Sequence, residues 1–160
     1  MKLSKSAETV QRALFEKGLE FSVVELAAST RTANDAATAI GCQVAQIVKS
    51  LLFRTTETRR PVLILASGIN RVNEEVIQRY VGEKIAKADA DFTREITGFA
   101  ICGIPPLGHK NLIPFVYIDE DLLQYETLWA AGTPYAVFSL SAKELQTVTS
   151  GKIVLIKESP

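Results

Sequence analysis

The chain has 160 residues, 47% hydrophobic and 22% charged, the size and balance of one globular domain with a real core, which excludes wholesale disorder. Eighteen Lys and Arg offset eighteen Asp and Glu, so the zero net charge argues against a DNA-binding domain and requires that any nucleic-acid partner be gripped locally. Two cysteines without CxxC spacing, a single histidine, no apolar signal core at the start and no membrane-length run point to a reduced, cytoplasmic protein without a zinc site.

No repeat or linker divides the sequence, so one domain over residues 1–160 is expected. The first segment places Val10, Leu14 and Phe15 on a helical face and stops at Gly18. Phe21 to Leu26 reads as a strand. Thr32 and Asp35 form a cap with an acidic first turn, opening a helix that closes at Gly41. Ile47–Arg54 and Val62–Ser67 are two strong strands, the second apolar on both faces as a central buried strand would be.

Asn73 caps a helix with Val76, Ile77, Tyr80 and Val81 inward, ending at Gly82. Another short helix runs from Asp91 to Thr97 and stops at Gly98. An irregular Gly- and Pro-rich stretch, Phe99 to Pro114, comes next. Strands resume at Phe115–Ile118, Tyr135–Leu140 and Ile153–Ile156, with a short helix expected over Leu122–Ala131. Ser141 and Glu144 form a capping box before the last helix. Strands and helices mix without a regular βα repeat, which gives an α+β class: a curled, mixed or mostly antiparallel sheet with helices packed around it.

Lys49 is the most informative residue. In an extended strand it shares a face with Ile47, Leu51 and Phe53. Burying an unpaired ammonium is costly, so such a lysine has an anionic or carbonyl partner, faces a cavity, or snorkels past the strand end to water.

The loop from Thr97 to Lys110 is a second signal. Gly98, Gly103 and Gly108 widen its backbone choices while Pro105 and Pro106 stiffen it. Such a loop holds a carbonyl or oxyanion on its free N–H groups, or is an ordinary crossover. His109 is a candidate general base or donor, or else a packing residue. Asp119 ends a strand and can equally cap the next helix, and Cys102 has no base beside it to make it a nucleophile. Ser67-Gly68-Ile69-Asn70-Arg71 lacks the Gly-Lys-Ser/Thr ending of a phosphate loop, though Arg71 can reach a phosphate.

Together these pieces resemble the YbaK-like aminoacyl-tRNA deacylases, the free-standing and inserted editing domains associated with prolyl-tRNA synthetase. The matching elements are Gln46 to Phe53, Ala66-Ser67-Gly68 with Arg71-Val72, and Thr97-Gly98 with Gly103-Ile104-Pro105-Pro106-Leu107-Gly108-His109. Val116 to Asp119 and Ala131-Gly132 complete the set, so the likeness spans roughly residues 5 to 157. The resemblance implies a central pocket and hydrolysis of the ester joining a small mismatched amino acid to the terminal adenosine of tRNA.

It maps the family's key lysine onto Lys49. It also implies substrate-binding roles for Ser67, Gly68, Arg71, Gly98, Cys102, Gly103, Ile104, Pro105, Pro106, His109 and Asp119. No cofactor or metal is implied: the substrate's own ribose hydroxyl and a water share the chemistry. The expected partners are the tRNA acceptor end and a synthetase or elongation factor, with neither DNA nor membrane. One departure stands out. The family loop is commonly Gly-x-x-x-Pro, and here Cys102 occupies its first position with Pro106 at the other end. That substitution keeps open a second reading, a non-catalytic descendant that binds an amino acid, a nucleotide or a protein partner in the same pocket.

Overall fold

The computed structural model describes residues 4–18, 23–26, 32–101, 103–133 and 135–157. In chain order the elements are α1 (Lys5–Glu16), β1 (Val24–Glu25), α2 (Ala33–Ile40), β2 (Ile47–Thr55), β3 (Pro61–Ser67), α3 (Glu74–Val81), β4 (Ile85–Lys87), α4 (Ala90–Thr97), β5 (Phe115–Asp119), β6 (Leu128–Thr133), β7 (Ala136–Leu140), α5 (Ala142–Thr149) and β8 (Lys152–Val154). The strands form one mixed sheet in the order β1-β7-β6-β2-β3-β5-β8, with β4 also paired to β2. Helices pack around it, so the α+β expectation holds.

β3 is central. Every one of its residues is buried, and it pairs antiparallel with β2 and parallel with β5. Its side chains alternate between two cores, as a pleated strand requires. Leu63 and Leu65 join the larger core with Val10 and Leu14 of α1, Phe92 of α4 and Leu145 of α5. Val62, Ile64 and Ala66 join the smaller one with Ile77 and Val81 of α3 and Ile156.

The helix boundaries are set by side-chain caps. Thr32 Oγ1 accepts from Asp35 N, and Gly41 closes α2 with a left-handed φ of 85°. Asp89 Oδ1 accepts from Phe92 N to open α4, slightly ahead of the expected Asp91. Ser141 and Glu144 make the full capping box of α5.

Four sequence expectations need correction. Phe15 is 73% exposed, because Val10 and Leu14 define the buried stripe of α1 and Phe15 lies one residue round the helix from it. Tyr80 is likewise mostly outside the α3 core, stacking at the surface on Tyr117 with ring centroids 5.7 Å apart. The segment expected as a helix over Leu122–Ala131 splits into a 3-10 turn, Glu120–Gln124, and strand β6. β6 is held by parallel pairing to β2 and antiparallel pairing to β7, so tertiary pairing overrides the helical preference of its Leu and Ala residues. β4, three residues long, has no counterpart among the expected strands; it forms because β2 offers it a free edge. The Phe21–Leu26 strand is described only from residue 23, where Val24 and Glu25 pair with β7.

Candidate active site

The site grows out of an incomplete edge of β2. On the side away from β3, β2 pairs with β6 only at Ile47 and Val48 and with β4 only from Phe53 to Thr55. Between these ladders, Lys49 to Leu52 have no strand neighbour on that side among the described residues. Leu52 C=O points to this edge, accepting from Ala88 N at 3.1 Å. By the two-residue alternation of a strand, Ser50 directs its backbone N–H and C=O the same way. Ser50 Oγ is also buried without a hydrogen-bond partner, the kind of unsatisfied polar atom that native interiors rarely keep. A cavity of about 440 Å³ opens along this gap, with Lys49, Ser50, Leu51, Phe53, Asn70, Arg71, Glu74, Lys87, Ile101 and Ile104 in its walls.

Lys49 enters the cavity with its ammonium anchored rather than free. Its Nζ donates to the Asn70 carbonyl at 2.7 Å, which leaves two of its three protons to offer elsewhere. Burial pushes the Lys49 ammonium below the ordinary lysine range; Asp119 opposes that shift and Arg71 adds to it. Lys49 thus has the carbonyl partner and faces the cavity that the apolar strand pattern allowed, instead of snorkelling past the strand end to water.

The Asn70 carbonyl is itself held in place. Asn70 Nδ2 donates to Asp119 Oδ2 and Asp121 Oδ2, each at 2.8 Å. Asp119 Oδ2 also accepts from Ser67 N at 3.0 Å and its Oδ1 from Asp121 N at 2.9 Å. Asp121 is paired with Lys157 at 2.9 Å, and Asn73 N donates to Ile156 O at 2.6 Å. The turn from Ser67 to Asn73 is therefore tied at both ends, and it presents Asn70 O to the lysine and Arg71 and Glu74 to the cavity.

The predicted residues do not all meet there. Arg71 and Ile104 line the cavity with Lys49. Asp119 is fully buried and acts one layer behind, as the clamp on the Asn70 turn. Ser67 is spent on structure: its N–H goes to Asp119 and its Oγ to Ala45 O at 2.8 Å. Gly68 donates to Ile47 O, and a Cβ built on it would lie 2.3 Å from Val44 O, so it is a close-approach glycine.

Gly98 caps α4 at φ 78° and lies at a separate surface cleft beside Lys110 and Thr9. Gly103, Pro105 and Pro106 are buried, and Gly103 N donates to Ala100 O; Pro106 faces a different cavity. His109 lines that second cavity as well. Its Nε2 lies 2.7 Å from Pro105 O, so the proton sits on Nε2 and the ring staples the loop; burial pushes its pKa down, partly offset by that bond. Cys102 lies outside the described residues.

Sequence reasoning gave no role to Asn70, the Ser50 backbone, Glu74 or Lys87. The only available signal was the polar Asn70-Arg71 pair shortly after a fully apolar strand. Among the described residues, no three His, Cys, Asp or Glu side chains converge as metal ligands would, and no helix is long and apolar enough to cross a membrane.

Residues 27–148 match the profile of the aminoacyl-tRNA editing domain. The chain is 30% identical over 149 residues to YwhH of Bacillus subtilis (strain 168), an uncharacterised protein, covering 92% of this chain and 94% of that one. It is 31% identical over 84 residues to the proline–tRNA ligase of Limosilactobacillus fermentum, a stretch that is half of this chain and 15% of the ligase. Among solved structures, a candidate trans-editing enzyme for prolyl-tRNA synthetase superposes with a TM-score of 0.93 at 47% identity, covering 99% of this chain and all of that one. The family match over most of the chain and the near-complete superposition lead to one conclusion: the chain belongs to the aminoacyl-tRNA editing domain family.

Proposed function

We propose that the protein is a trans-acting deacylase that hydrolyses the ester of a small noncognate amino acid, such as Ala, Ser, Cys or Thr, on tRNA. The observation that carries this reading is Lys49: a partly desolvated ammonium, fixed on Asn70 O with two protons to spare, beside the unpaired backbone of Ser50. Such a pair of donors suits the oxygen of an ester carbonyl on its way to a tetrahedral oxyanion. A water adds to the carbonyl carbon, the neighbouring ribose hydroxyl relays its proton, and the ester C–O bond breaks onto the ribose oxygen. The products are a free amino acid and uncharged tRNA. The mechanism asks nothing of a metal, so chelation should leave turnover unchanged.

The likeness to a proline–tRNA ligase and to a candidate trans-editing enzyme for prolyl-tRNA synthetase favours tRNA-Pro as the carrier, with the synthetase or an elongation factor as partner. The cavity walls of Leu51, Phe53 and Ile104 suit a short apolar side chain.

The test is single-turnover hydrolysis of a panel of mischarged tRNAs. Lys49→Ala should remain folded and lose roughly a hundred- to thousandfold in rate, the effect of removing one positioned charge-stabilising donor, about 2.7–4 kcal/mol. Lys49→Arg should not restore it fully, since a planar fork does not fit where a compact ammonium was. A folded Lys49→Ala protein as active as wild type removes the assigned role. Wild type inactive on the whole panel, with activity gained in Cys102→Gly, favours the non-catalytic descendant that Cys102 at the usual glycine position suggests.

A further inference from the structure

Four charged side chains line the cavity: Lys49, Arg71, Lys87 and Glu74. Lys49 is bonded to Asn70 O. Among the described residues, the other three make no side-chain hydrogen bond or ion pair, and no ring contact involves them. Glu74 is the anomaly. It is half-buried, shares its cavity with three cations, stands only three residues from Arg71, and yet is paired with neither that residue nor any other described residue.

A carboxylate at the first position of a helix has an ordinary explanation, favourable contact with the helix N-terminus. Glu75, the next residue, meets that need while exposed to solvent. It does not line the cavity, and Glu74 does. The backbone that carries Glu74 is also fixed, by Asn73 N on Ile156 O and by the Asp119 and Asp121 clamps on Asn70.

We infer that Glu74 is a specificity-determining residue that receives the α-ammonium of the aminoacyl group. The inference rests on the deacylase reading and deepens it. An aminoacylated 3′ nucleotide carries one cation, the α-ammonium, and anions only on its phosphates. A cavity with one unpaired carboxylate and two unpaired cations, Arg71 and Lys87, sorts those charges: ammonium to Glu74, phosphate to Arg71 and Lys87. The side chain is then directed toward the apolar wall and the ester carbonyl toward Lys49. The substrate class narrows to aminoacyl esters with a free amino group, and N-acylated esters are refused because they leave Glu74 desolvated and unpaired.

The experiment uses amide analogues that cannot be hydrolysed: 3′-alanylamino-3′-deoxyadenosine 5′-phosphate, its N-acetyl derivative, and the propionyl analogue without the nitrogen. Binding to the full chain is measured by calorimetry for wild type and Glu74→Gln, with thermal unfolding to confirm that both fold. Wild type should prefer the free-ammonium analogue over the other two by about tenfold or more, the worth of one charge-assisted hydrogen bond. Glu74→Gln should lose that preference while binding the propionyl analogue as wild type does. Equal binding of all three by wild type, or a preference that survives in Glu74→Gln, overturns the role of Glu74; if mischarged tRNA is still hydrolysed, the deacylase reading stands. Failure of every analogue to bind, together with no hydrolysis of any mischarged tRNA, overturns both.

Discussion

A lysine that must act as a cation has to be kept partly dry without being neutralised. Lys49 meets this by three opposed influences: burial and Arg71 push its pKa down, and Asp119 pushes it up. The ammonium is present below its pKa and lost above it. Turnover that needs it should therefore decline on an alkaline limb at lower pH than the ordinary lysine value of about 10.4. Removing the repulsion of Arg71 should move that limb upward. Single-turnover rates of wild type and Arg71→Gln across alkaline pH, corrected for spontaneous ester hydrolysis, check this. An unmoved limb in Arg71→Gln would mean that the two cations do not sense each other during the proposed reaction. Substitution of Asp119 is a poorer probe, because its carboxylate also holds Ser67 N, Asn70 Nδ2 and Asp121 N.

At the scale of elements, the site depends on β2 being left unpaired between two ladders, and on the turn after β3 being packed close enough to reach it. Gly68 makes that approach possible. A Cβ there would meet Val44 O at 2.3 Å and Ala33 Cβ at 3.0 Å, and a backbone carbonyl cannot rotate away. Gly68→Ala should therefore destabilise the fold by about 1–3 kcal/mol, the usual cost of overpacking, which for a chain of this size lowers the midpoint of thermal unfolding by about 2–4 °C per kcal/mol. Thermal unfolding monitored by circular dichroism measures it; an unchanged midpoint would show that the Val44 turn yields easily. Proximity in sequence separates what could be read from the chain from what could not. Strands β2 and β3, the caps at Thr32 and Ser141 and the odd lysine at position 49 were legible, because each is written in residues close together. The Asn70–Asp119 clamp joins residues 49 positions apart, and β6 is a strand only because β2 and β7 flank it. Neither leaves a local pattern. His109 and Gly98 were legible as unusual residues, and the contacts the structure gives them are local: one staples the loop and the other ends α4.

On the scale of the whole molecule, the balance of eighteen basic and eighteen acidic residues has to be reconciled with the polyanionic substrate proposed above. A neutral protein cannot draw tRNA by its overall field, so its electrostatic grip must come from a few cations without protein partners. Arg71 and Lys87 at the cavity are such a pair, and their position suits the acceptor end rather than the tRNA body. Counterion release then sets the salt dependence: each phosphate contact contributes a slope of roughly −0.7 in log affinity against log salt for single-stranded nucleic acid. Two contacts give a slope of about −1.4 for kcat/KM on mischarged tRNA, shallow beside that of a protein that tracks a helix. Lys87→Ala should lower kcat/KM and make the slope shallower by roughly one contact's share, about 0.7. Measuring kcat/KM for both proteins between low and physiological salt decides the matter. A steep wild-type slope would place additional phosphate contacts outside the cavity, and a slope unaltered in Lys87→Ala would remove that lysine from the tRNA path. With a grip this slight, the proposed synthetase or elongation-factor partner, by holding the tRNA body, would raise the local concentration of its acceptor end at the cavity without any new contact from this chain.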